Sequence, residues 1–175
     1  MYEIKIVPAI EEDASMIADL SRDTFYETYA EENTPENMVK FMHYQFSKEQ
    51  LMDEVGKKEN HFFLAYINDA VVGYIKLKDA THKHFGDNNG VEISRFYARK
   101  AFIGKGVGKT LMETALNYAQ KNGKEWIWLV VWKQNTRAIR FYESFGYCIF
   151  EECTFVLGDD IQHDWVMKRN VLLPE

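Results

Sequence analysis

The segment Arg95-Phe-Tyr-Ala-Arg-Lys-Ala-Phe-Ile-Gly-Lys-Gly-Val-Gly-Lys-Thr-Leu111 constrains the fold of this chain most. An alternating β-branched and aromatic run, Val91 to Ala98, predicts a strand. Gly104, Gly106 and Gly108 then alternate with Lys105, Val107 and Lys109. From Gly106 to Gln120 the apolar residues Val107, Leu111, Met112, Ala115, Leu116 and Ala119 recur at helical spacing, and Asn122-Gly123 ends the run. A glycine-rich turn between a strand and a helix lets the backbone approach an anion closely. The first N–H groups of a helix have no intrahelical partner, and the helix dipole adds partial positive charge there. The pattern therefore describes a phosphate or pyrophosphate cradle, or, equally well on this motif alone, an ordinary tight turn. The spacing fits neither the Walker loop nor the dinucleotide-binding fingerprint.

Around this segment the periodicity changes twice. Tyr2 to Val7 reads as a short strand stopped by Pro8, and a helix is predicted from Ala14 to about Tyr29. Asn33-Thr34-Pro35 opens a second short helix, and Ser47 to Gln50 has the capping-box spacing of a third that fades near Gly56. His61 to Ile67 and Ala70 to Lys78 are strands joined by an Asn68-Asp69 turn, with Gly73 a candidate bulge. Residues 79–90 form a polar loop. Trp126 to Val131 is an apolar run suited to a strand buried on both faces. Asn135 is a candidate cap for a helix to Phe145, with Gly146 as its stop. Tyr147 to Phe150, Thr154 to Leu157 and Trp165 to Lys168 are the closing strands. The order predicts an α/β (α+β) fold, a mixed sheet with helices on its faces, in a single domain over 1–175.

Charge is uneven. Residues 1–60 carry 14 acids and 6 bases, whereas Arg99 to Lys109 holds four bases and no acid. An acidic region and a basic loop suit a cationic and an anionic ligand, or are simply solvated surface. The overall charge of −6 argues against a generally basic nucleic-acid binder. No apolar run approaches the roughly 18 residues of a membrane helix. Two cysteines, Cys148 and Cys153, are too few for a disulfide scaffold, so a reducing compartment, the cytoplasm, is the expectation. His82, His84 and His163-Asp164 show no metal-ligand spacing, and no metal is expected.

Loop, helix and buried strand are followed by Asn-Thr-Arg-Ala-Ile-Arg-Phe-Tyr-Glu-Ser-Phe-Gly-Tyr. Here the chain resembles the GNAT superfamily of acyl-CoA-dependent N-acetyltransferases. The signature Gln/Arg-x-x-Gly-x-Gly/Ala aligns on Ile103 to Gly108, and Asn-x-x-Ala-x-x-Phe-Tyr-x-x-x-Gly-Phe aligns on Asn135, Ala138, Phe141, Tyr142, Gly146 and Tyr147. The blocks Thr24 to Met38, Phe62 to Tyr66 and Phe155 to Asp164 look like the bacterial PaiA-type spermidine/spermine acetyltransferases. Two positions depart from the pattern: Ile103, where Gln or Arg is preferred, and Ser144, at a position often basic.

The resemblance implies a mostly antiparallel sheet of six to seven strands, acetyl-CoA as cosubstrate, and transfer of acetyl to a primary amine, spermidine or spermine first. Other small amines, a protein amine, or a non-catalytic acetyl-CoA-binding regulator are the alternatives. It implies pyrophosphate binding by Ile103, Gly104, Lys105, Gly106, Val107, Gly108 and Lys109, and a pantetheine arm along Phe96, Tyr97 and Ala98. Asn135 and Arg137 join this set, although Asn135 also reads as a simple cap. Glu92 is the implied base, or else it faces outward or pairs with Arg95. Tyr142 is the implied acid, or else an aromatic core residue. Glu27, Glu31 and Glu32, with Glu36 nearby, are candidates for holding a cationic amine, or form a solvated acidic turn. No nucleic-acid or membrane partner is expected, and the oligomer is a monomer or homodimer.

Overall fold

The computed structural model describes residues 3–80, 82 and 89–171. Tyr2 of the expected first strand and most of the polar loop, His84 included, lie outside these residues. The elements run β1 (Ile4–Pro8), α1 (Ala14–Tyr29), α2 (Pro35–Lys40), α3 (Lys48–Asp53), β2 (Asn60–Ile67), β3 (Ala70–Asp79), β4 (Gly90–Ala98), α4 (Val107–Lys121), β5 (Trp126–Trp132), α5 (Thr136–Ser144), β6 (Cys148–Leu157) and β7 (Asp160–Asn170). One sheet takes all seven strands in the order β1-β2-β3-β4-β5-β7-β6. Every neighbouring pair is antiparallel except β4–β5.

Local chemistry sets the helix starts. Thr34 accepts from Asn37 N–H with Pro35 at the first turn, and Ser47 forms a full capping box with Gln50. A π-helical turn, Phe41–Gln45, continues α2, and Arg22 of α1 donates to the carbonyls of Met42, at 2.7 Å, and Phe46 beneath it. Asn68 takes a left-handed φ of 54° in the β2–β3 turn, a conformation that Asn tolerates.

Strand alternation divides the side chains into two cores. On one face Ile75, Leu77, Val91, Ile93, Ile127, Leu129 and Met167 meet Val107, Leu111, Met112 and Ala115 of α4, together with α5. On the other, Tyr74 and Tyr97 meet α1, α2 and α3 through Ile17, Leu20, Phe25, Phe41, Phe46 and Leu51. Fully burying one such Leu, Ile or Phe side chain is worth about 1.5–3 kcal/mol. A charged cluster interrupts this second core. Glu54 takes two bonds from Arg95 and one from Lys76 at 3.0 Å, and Arg95 lies over the Phe46 ring.

Three sequence expectations change. The expected strands Tyr147 to Phe150 and Thr154 to Leu157 merge into one, β6, which starts at Cys148, because Glu151 and Glu152 sit on a sheet edge where polar residues need no burial. β7 is longer than Trp165 to Lys168 at both ends. The β2–β3 irregularity falls at Val72, beside Gly73. Gly73 answers to a close approach instead: a Cβ there would lie 2.7 Å from the Tyr97 carbonyl oxygen.

Candidate active site

β4 and β5 pair from Gly90 with Trp126 only as far as Ile93 with Leu129. Beyond that point β4 still pairs with β3 through Arg95, Phe96, Tyr97 and Ala98, while its other edge leaves β5. An extra residue at Ser94, opposite the Lys76–Leu77 step of β3, bends β4 where the separation begins. The consequence is visible on β5: Val130 is 40% exposed in the middle of an apolar strand. A strand read as buried on both faces therefore opens at its C-terminal half, because its neighbour has diverged.

A cavity of about 460 Å³ fills the gap. That lies within the usual range for small-molecule sites. Its walls come from β4, β5, the glycine-rich turn, α5 and, from the opposite layer, Thr28 and Tyr29 of α1. The cavity thus passes through the sheet and joins the two faces.

The turn after β4 is shaped by Gly104 and Gly106, at φ of 80° and 89°. Gly106 caps α4 in the left-handed conformation, and the first helical bond runs from Thr110 N–H to Gly106 C=O at 3.0 Å. The N–H groups of Val107, Gly108 and Lys109 precede that bond and have no helical acceptor. Ile103, Gly104, Gly106, Gly108 and Lys109 line the cavity; Lys105 lies over the Phe102 ring, and Val107 is buried in the core. Phe96, Tyr97, Ala98, Asn135 and Arg137 line it too. Asn135 also caps α5, accepting from Ala138 N–H at 3.2 Å. The free edge of β4 offers main-chain donors and acceptors to an extended ligand.

Tyr142 lines the cavity, yet it is also the buried residue of α5, only 7% exposed and packed on Phe96, Phe141 and Tyr147. Of the two sequence readings, implied acid or aromatic core residue, the structure puts its ring in the core and its flank on the cavity. Burial, and then Tyr29, hold its phenol well above the ordinary tyrosine range, so it is a neutral proton donor at physiological pH. Tyr29 is raised too, chiefly by burial, with Tyr97 and Asn135 stabilising its ionised form and Asp164 opposing it.

Glu92 is not among the cavity-lining residues. It sits on β4 between Lys78 and Trp128 at the closed end of the split. Burial raises its carboxyl above the ordinary value, against the pull of Lys78 and Lys76. Arg95, the partner weighed for Glu92 from sequence, is taken by Glu54.

The N-terminal acids also stand apart from the cavity lining. Glu27 accepts from Lys100 N–H at 2.9 Å, Glu31 meets Lys100 Nζ at 3.2 Å, and Asp23 meets Arg99 at 3.3 Å. They tie α1 to the basic turn. Glu32 is exposed beside them. Sequence reasoning missed Thr28, Tyr29, Phe102 and Val130 as cavity residues. The Tyr29 position carries no motif of its own; only the fold brings α1 across the split.

A split parallel pair, unpaired amides where α4 begins and a buried tyrosine beside them suit an acyltransferase that takes an extended, phosphate-bearing donor. The sequence model of the Acetyltransferase (GNAT) family matches residues 15–147, and the chain belongs to that family. It is 38% identical over 174 residues to the uncharacterized N-acetyltransferase in the pepI 3′ region of Lactobacillus delbrueckii subsp. lactis, covering 97% of this chain and 98% of that one. It is 26% identical over 162 residues to the spermidine N(1)-acetyltransferase of Thermoplasma acidophilum, covering 90% and 91%. The crystal structure of PaiA N-acetyltransferase from Thermoplasma acidophilum in complex with coenzyme A superimposes with a TM-score of 0.78 at 24% identity, covering 96% of this chain and 99% of that one. The protein is an acetyl-CoA-dependent N-acetyltransferase with the GNAT fold. Among the described residues, no group of three or more His, Cys, Asp or Glu side chains is placed to hold a metal ion, and no helix is long and apolar enough to cross a membrane.

Proposed function

We propose that this chain, acting as one domain, moves acetyl from acetyl-CoA to a primary amine of spermidine or spermine by direct attack in a ternary complex. The observation that carries this reading is the cavity through the sheet, which lets a donor on the α4–α5 side meet an acceptor on the α1 side. The likeness to a spermidine N(1)-acetyltransferase supports the choice of amine.

The amides of Val107, Gly108 and Lys109 bind the pyrophosphate, with Ile103, Gly104, Lys105, Gly106 and Arg137 around it. The Ile103 side chain has no donor, and backbone groups carry the contact. Phe96, Tyr97 and Ala98 hold the pantetheine arm as an added strand, with Asn135 at its side. Glu27, Glu31 and Glu32 flank Thr28 and Tyr29 in sequence and attract the cation toward the opening. Free amines of this class are ammonium ions near neutral pH, with pKa values of about 10.4. Glu92 takes one proton through solvent and leaves a neutral nitrogen. That nitrogen attacks the thioester carbon, the carbon–sulfur bond breaks, and Tyr142 gives its phenol proton to sulfur. A second nitrogen proton restores Tyr142, and Glu92 releases its proton to solvent.

A panel of amines assayed with acetyl-CoA tests the reading. Spermidine and spermine are expected to have the highest kcat/KM, and no acetylated enzyme accumulates without amine. Activity on small monoamines or protein amines with indifference to polyamines overturns the choice of substrate.

A further inference from the structure

Asp164 is a buried carboxylate for which the reaction above has no use. It is 7% exposed, and its Oδ1 is fully buried with no hydrogen-bond partner among the described residues. The nearby cations are engaged elsewhere. His163, the next residue along β7, is exposed and pairs with Glu152 at 2.9 Å. Lys133 binds the same Glu152 at 2.7 Å and lies over Trp165. A buried, unpaired carboxylate costs several kcal/mol if ionised, so a native structure that keeps one has a use for it.

Its position gives that use. β7 pairs Asp164 with Trp132 and Val166 with Val130. Alternation puts Asp164 and Val166 on the sheet face covered by α1 and α2, and Gln162 on that face donates to Asn33 at the α1–α2 junction at 2.7 Å. Val130 is the exposed floor of the cavity. Asp164 is its diagonal neighbour in the sheet, roughly 7–8 Å away by strand geometry. Tyr29, which lines the cavity on the α1 side, feels the Asp164 charge directly.

We propose that Asp164 binds a cationic nitrogen of the acceptor other than the one acetylated, and so selects amines with a second positive centre. The proposal rests on the amine-acetyltransferase reading and deepens it. A nitrogen at the split and an ammonium at Asp164 are separated by a span that a short diamine or polyamine bridges and a monoamine does not. Burial holds the Asp164 carboxyl above its ordinary range, and an ammonium beside it restores the ionised form.

The experiment compares spermidine with n-butylamine, by steady-state acetylation and by calorimetric titration into the coenzyme A complex, in wild type, Asp164→Asn and Asp164→Glu. Wild type is expected to favour spermidine. Asp164→Asn should raise the spermidine KM and Kd about tenfold or more, leave n-butylamine within about twofold, and keep coenzyme A affinity. Asp164→Glu should recover part of the loss. If the Asn variant fails to bind coenzyme A, Asp164→Ser takes its place. Equal losses for both amines, or unchanged spermidine affinity, overturn the proposal. So does wild type that binds the two amines alike. Selective spermidine binding without acetylation would instead sink the enzymatic reading and leave Asp164 its role.

Discussion

At the scale of single residues, the proton donor proposed at Tyr142 and the base proposed at Glu92 stand in different surroundings. Tyr142 borders the cavity, and its phenol stays protonated because burial and Tyr29 penalise the phenolate. Tyr142→Phe removes the proton and almost no volume. Turnover is expected to fall about 10²-fold with coenzyme A affinity within twofold, read by kcat and a separate binding titration. Glu92 acts as a base only when ionised, and burial raises its carboxyl above the ordinary glutamate range. The rate should therefore fall as pH drops through a value above about 4.3, and Glu92→Gln should lower the rate and remove that limb of the pH–rate profile. Stability moves the other way. A carboxyl whose folded pKa is raised favours folding below its unfolded pKa and loses that contribution as pH rises through the folded one. Glu92→Gln should thus be at least as stable as wild type at pH 7 by urea denaturation. A rate independent of Glu92 at every pH would remove it from the reaction. That Tyr142 reaches the cavity was legible because its motif fixes its place on α5. Asp164 was not, because a lone Asp after His carries no signal until β7 is laid beside β5.

At the scale of elements, the site depends on where β4 parts from β5 and how α4 is seated behind it. The periodicity of the sequence located the strands and helices that carry the cradle, and capping residues located the helix starts within a residue or two. It did not reveal the split. Residues 91–98 and 126–131 read as ordinary strands, and their parting comes from the extra residue at Ser94 and from pairing partners distant in sequence. Nor could periodicity join the two halves of β6, since the acids between them look like a turn until the strand is seen at the sheet edge. Gly73 tests the seating of α4. A methyl group there would meet the Tyr97 carbonyl at 2.7 Å, Val107 at 3.0 Å and the Ala98 backbone at 3.2 Å, and the two strand contacts cannot rotate away. Gly73→Ala should cost about 1–3 kcal/mol in denaturant unfolding. It should also weaken coenzyme A roughly tenfold, since the displaced atoms are the β4 backbone at Tyr97 and Ala98, on its β3-facing side, and the Val107 side chain in the first turn of α4. A variant that loses stability but binds coenzyme A normally would show that binding tolerates movement of that strand.

At the scale of the molecule, two helical layers hold one sheet that is complete except at its open pair. The α1–α3 layer and the α4–α5 layer have separate apolar cores, and the cavity is where they come together. Ion pairs from Asp23 of α1 and Glu31 just after it to Arg99 and Lys100 fasten one layer to the loop that serves the other. These pairs are exposed, and each contributes at most about 1 kcal/mol. Coenzyme A seated as proposed, along β4, against α4 and α5 and facing Tyr29, would do more. It would complete the sheet edge and bridge both cores. Coenzyme A at 100 times its Kd adds about 2.7 kcal/mol to the folded state by mass action. For a chain of 175 residues that corresponds to a rise in Tm of roughly 5–10 °C. If the ligand spans both layers in this way, unfolding should remain a single transition whose midpoint moves as a whole. Calorimetric scans across a coenzyme A series check this. Tyr142→Phe should keep the full shift, since the role proposed for its phenol is in the chemistry rather than the grip, whereas Gly73→Ala should show a reduced one. A transition that splits in two as ligand is added would mean that the layers unfold independently and that coenzyme A holds only the α4–α5 side.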